Sequence, residues 1–61
     1  MTLRYKVVET SSVTDHDLER IFNEWSAQGW QLDGVRFAMS DSSRRPVMAF
    51  VTFVRAREET D

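Results

Sequence analysis

The chain contains no cysteine. That excludes disulfides, thiolate metal sites and thiol catalysis, and it fits a cytoplasmic setting. One histidine among 61 residues leaves a structural zinc site dependent on several carboxylates, a ligand set such sites rarely use. Glycine occurs twice and proline once, so there is little material for tight turns or phosphate-cradling loops. No apolar run approaches the roughly 18 residues of a membrane span, and no basic, apolar leader follows Met1, so neither secretion nor membrane insertion is expected. A net charge of −2 argues against sequence-independent binding to a phosphate backbone, although it leaves room for a local basic patch. Internal repeats and low-complexity segments are lacking as well.

Such a length makes one small domain. Burial of apolar surface contributes on the order of 90 kcal/mol at about 25 cal/mol per Å², and ordering the chain costs on the order of 90 kcal/mol as well. Chains this close to balance rely on disulfides, a metal, very good packing or a partner subunit. With the first two disfavoured, a partner subunit is the economical expectation.

The stretch that organises the rest is an amphipathic helix over residues 13–30. Thr14 is a good N-cap, and Asp17 three residues on can reach back in the manner of a capping box. Val13 and Leu18 are spaced as a hydrophobic staple, and Asp15, Asp17 and Glu19 suit the positive end of the helix dipole. Leu18, Ile21, Phe22 and Trp25 form one apolar stripe. Gly29 is placed to be the left-handed C′ residue of a Schellman ending, which brings Trp30 against Trp25.

Residues 3–9 read as a strand, with Leu3, Tyr5 and Val7 on one face and Arg4, Lys6 and Val8 on the other. After Trp30 the chain is again extended, but its apolar parity changes across Asp33 and Gly34. A β-bulge at Gly34 explains the switch, and so does a strand that begins only after it. Residues 40–45 are polar and lead to Pro46, which marks a hairpin loop. Residues 47–54 form the last strand, apolar on both faces: Met48, Phe50, Thr52 and Val54 on one, Val47, Ala49, Val51 and Phe53 on the other. Residues 55–61 are charged and aperiodic, so the domain is expected over 1–55 with a frayed acidic tail over 56–61.

These elements predict an α+β fold in the order β-α-β-β. Its three-stranded antiparallel sheet has strand order 1-3-2, with the doubly apolar last strand central and one helix on one face. The pattern does not decide which face the helix covers.

Tyr5-Lys6-Val7-Val8, the helix residues Leu18 and Ile21 to Asn23, Gly29-Trp30-Gln31-Leu32-Asp33-Gly34-Val35 and Phe53-Val54-Arg55 resemble small bacterial proteins grouped as domain of unknown function 4177. The resemblance covers roughly residues 4–55. Gln31 stands where that pattern usually has Glu, and Asp33 where it usually has an apolar residue. It implies a fold and a bacterial setting, and no catalytic residue, ligand or partner.

Chemical candidates are sparse. His16 lies between Asp15 and Asp17, but consecutive helical residues diverge, which suits a solvated first turn better than a metal or base site. Arg44 and Arg45 are candidates for an anion contact in the hairpin loop. Trp25 and Trp30 could stack a flat ligand, yet the helix stripe and Schellman contact already explain them as core. Ser11, Ser12 and Thr14 have no histidine partner to activate them, and nothing pairs Asp33 with Glu9 or Glu24. No catalytic constellation, cofactor site or metal site is expected.

The leading expectation is a homodimeric interaction or assembly module that associates through an open sheet face bearing Met48, Phe50, Thr52 and Val54. One alternative is a small-ligand-binding module at a subunit interface. A second is a single-stranded nucleic-acid binder using Arg4, Lys6, Arg36, Arg44 and Arg45.

Overall fold

The computed structural model describes residues 2–42 and 44–57. Its elements are β1 (Thr2–Thr10), α1 (Asp15–Ser26), β2 (Gln31–Met39) and β3 (Pro46–Arg57). The sheet order is β1-β3-β2, with β3 antiparallel to both neighbours, as the apolar character of the last strand predicts.

Both helix ends follow the local chemistry. Thr14 has extended backbone geometry, and its hydroxyl accepts the Asp17 N–H at 3.2 Å. The Asp17 carboxylate in turn accepts the hydroxyls of Thr14, at 3.1 Å, and Ser12. Asp is a methylene shorter than the Glu of an ordinary capping box, and its carboxylate here meets hydroxyls. At the other end Gly29 takes φ 91°. The Gly29 N–H donates to the Ser26 carbonyl at 3.1 Å and the Trp30 N–H to the Trp25 carbonyl at 3.2 Å, the two bonds that define a Schellman ending. The helix itself stops at Ser26, four residues short of the predicted span, because residues 27–30 form this capping turn.

Directly paired residues of antiparallel strands share a sheet face, so the register assigns every side chain. The helix lies over the face of Ala49, Val51 and Phe53, all fully buried. Ile21 closes that core, with Val8, Leu18, Phe22, Trp25, Trp30 and Val35 packed around it. The parity switch in β2 is a bulge: Leu32 pairs with Phe53 and Gly34 with Thr52, which leaves Asp33 as the extra residue. This bulge lets both Leu32 and Val35 fall on the helix side. A second irregularity, between Ala38 and Met39, was not signalled by the sequence.

The structure extends the last strand beyond its expected limit. Arg55, Ala56 and Arg57 continue β3, paired with Arg4, Leu3 and Thr2, so Ala56 and Arg57 of the expected tail belong to the sheet. A backbone ladder with β1 holds these residues without needing apolar side chains. The rest of that tail, 58–61, lies outside the described residues.

The strands are staggered. β1 pairs with residues 49–57 of β3, and β2 with residues 46–54. The Cα trace accordingly measures 50 × 21 × 12 Å. Its radius of gyration is 13.8 Å, against about 10.5 Å for a typical domain of this length. No helix among the described residues is long and apolar enough to cross a membrane.

Candidate functional site

Among the described residues, nothing covers the sheet face away from the helix. Three rows cross it, each running from β1 through β3 to β2: Tyr5–Val54–Gln31, Val7–Thr52–Gly34 and Glu9–Phe50–Arg36. Leu3 pairs with Ala56 beyond the first row, and Ala38 with Met48 beyond the last. Leu3, Tyr5 and Val7 are 53%, 62% and 61% exposed. Met48, Phe50, Thr52 and Val54, the residues singled out in the sequence, all lie on this face and are half-buried by their neighbours.

The face is asymmetric. Its β1 edge carries bulky apolar side chains and ends in the acid Glu9. Its β2 edge carries Gln31, Gly34, Arg36 and Ala38, small or polar with one cation. Gly34 bears no side chain, and a Cβ placed there would have nothing within 4 Å, so the space above it is open. The apolar alternation of β1 thus points outward. Its helix-side positions are Arg4, Lys6, Val8 and Thr10, and the Lys6 ammonium sits 4.2 Å from the centroid of the Trp25 ring.

A second charged region occupies the helix side near the C-terminal end of α1. Arg4 pairs directly with Arg55, flanked by Lys6 and Arg57. The Arg55 guanidinium lies 4.4 Å from the centroid of Trp30. Lys6 and Arg55 thus lie over the rings of the two tryptophans, which pack against the core as the helix spacing suggests. Sequence spacing held no signal for these cation–π contacts, because each pairs residues far apart in the chain.

The remaining sequence candidates do not converge. Arg44 and Arg45 are exposed in the hairpin loop. Arg4 and Lys6 lie on the helix side, Arg36 on the open face, and Arg44 and Arg45 at the hairpin tip, so the basic set considered for nucleic acid is spread over three places. Glu9 and Asp33 sit on opposite edge strands with β3 between them. His16 is exposed, and its backbone N–H donates to the Asp15 side chain at 2.8 Å. No group of three or more His, Asp or Glu residues that could hold a metal forms among the described residues.

The Asp17 carboxyl is held below the usual aspartate value of 3.8, first by the Ser12 hydroxyl, then by that of Thr14, with smaller help from Arg20 and His16. Desolvation opposes this, less than the two hydroxyls lower it but more than Arg20 or His16 does. Its role is to fasten the turn into α1.

No family model, curated protein or solved structure matches this chain.

Proposed function

We propose that the protein is a small homodimeric interaction module whose subunits associate through the open sheet face. The observation that carries this reading is the apolar β1 edge: Leu3, Tyr5 and Val7, each more than half exposed, stand beside Phe50 and Val54 on a continuous surface. Surfaces of that kind mark sites of association. The membership in domain of unknown function 4177 that the motifs suggest is part of the same proposal and supplies no ligand.

Light scattering after size exclusion, over a range of concentrations, tests the reading. A dimer is expected at micromolar concentration. Val7→Asp, on an exposed position, is expected to give a folded monomer by circular dichroism. The reading would be falsified by a wild-type chain that stays monomeric and folded throughout.

A further inference from the structure

The charges and shapes on the open face also select how two copies meet. We propose that the dimer forms about a two-fold axis running along β3, so that Glu9 of each protomer faces Arg36 of the partner subunit. This inference rests on the homodimer reading above and adds its geometry.

Two copies that bring the same sheet face together must share a two-fold axis lying in the interface plane. For sheets packed in the aligned class, such an axis runs close to the strand direction or close to its perpendicular. Along β3, it exchanges the β1 and β2 edges and keeps each row opposite itself. Glu9–Phe50–Arg36 then meets its own reverse, which places an acid over a base at both ends and Phe50 over Phe50 of the partner subunit. In the next row, Val7 lies over Gly34 of the partner subunit, a bulky side chain against a position that bears none and has open space above it. In the third row Tyr5 lies over Gln31 of the partner subunit, a phenol over an amide that can hydrogen-bond to it.

An axis across the strands loses these matches. Through the Phe50 row it stacks Glu9 on Glu9 and Arg36 on Arg36. Through the Thr52 row it stacks Gly34 on Gly34, which leaves a void, and Glu9 falls over Tyr5. Packed sheets usually cross at about 30°, which displaces edge residues about 4.8 Å from the axis by only about 2.5 Å relative to their partners. Arginine and glutamate side chains span that offset.

Charge exchange tests the axis. Glu9→Arg and Arg36→Glu each turn two attractive pairs of the dimer into two repulsive ones. Each single variant is expected to raise the dimer dissociation constant at least about tenfold, because like charges set opposite one another suppress association. The double variant E9R/R36E restores both pairs and is expected to return within about threefold of wild type. An equimolar mixture of the two single variants is expected to form the mixed dimer, in which both pairs are again opposite in sign. Both positions are exposed in the protomer, and circular dichroism checks that the variants fold.

Cross-linking reads the same axis without using charge. The chain has no cysteine, so Val7→Cys and Gly34→Cys introduce single reactive sites. Mixed V7C and G34C subunits treated with a short bis-maleimide are expected to join unlike chains in preference to like ones. A wild-type dimer whose affinity is unchanged by either charge variant, or which joins V7C to V7C preferentially, overturns the axis and leaves the face-to-face dimer standing. A wild-type monomer overturns the axis and the dimer together.

Discussion

The Arg55 guanidinium rests 4.4 Å from the centroid of the Trp30 ring and donates from Nη1 to the Gln28 carbonyl at 3.3 Å. The last turn of α1 contains no basic residue of its own. Arg55, on the neighbouring strand, therefore places a cation at the negative end of the helix dipole and covers the aromatic ring of the Schellman turn. Arg55→Ala is expected to cost about 1 kcal/mol, with Lys retaining part of the effect because it keeps the charge and loses the planar fork. Urea unfolding followed by tryptophan fluorescence measures it.

The two glycines differ in what they do. Gly29 has φ 91°, so Gly29→Ala forces a side chain into left-handed geometry and is expected to cost about 1 kcal/mol or more. Gly34 has no positive φ and open space at its Cβ, so Gly34→Ala is expected to change the stability of the protomer by less than about 0.5 kcal/mol. Thermal unfolding of the two variants side by side separates them.

Hydrogen bonds from Ser12 and Thr14 lower the folded pKa of Asp17, so its contribution to stability is present above the unfolded value and lost as pH falls through the folded one. Asp17→Asn is expected to unfold at a lower temperature than wild type at pH 7. The gap should close as the pH is taken below 3.8. A gap of constant size from pH 7 to pH 2 would show that the carboxylate charge plays no part.

Phe53 and Phe50 sit on opposite faces of one strand. Phe53 is fully buried under α1, and Phe53→Ala is expected to cost about 3–5 kcal/mol, enough to unfold so small a domain. Phe50 is half-buried on the open face. Phe50→Ala is expected to keep the circular dichroism spectrum and weaken association instead. Measuring spectrum and mass on both variants distinguishes the two faces.

Much of the fold can be read from residues next to one another in the chain. Thr14, Asp17 and Gly29 specify the helix ends through bonds spanning three to five residues. The parity change at Asp33 and Gly34 reports the bulge because side-chain alternation is strict along a strand. What the chain does not declare depends on distant partners. β3 is apolar on both sides, so its pattern cannot choose the face for α1. β1 alone would have suggested the wrong choice, since Leu3, Tyr5 and Val7 look like an inward row. Lys6 falls on the helix side through its pairing with Phe53, and there its ammonium lies over Trp25. The charged run after Val54 reads as a tail, yet pairing with β1 makes its first three residues strand. From the sequence, Met48, Phe50, Thr52 and Val54 were one of two candidate rows for an open face. Its asymmetry between Glu9 and Arg36 required the register of all three strands.

The extra residue at Asp33 has a consequence for growth. β2 is an edge strand, and an unbroken edge is a template on which further chains can add without limit. The bulge interrupts the even spacing of donors and acceptors along β2, and it puts an aspartate at the interruption. A chain arriving there cannot zip along the full edge in register, so lateral extension toward fibres is obstructed on that side. Finite assemblies are favoured over open-ended ones.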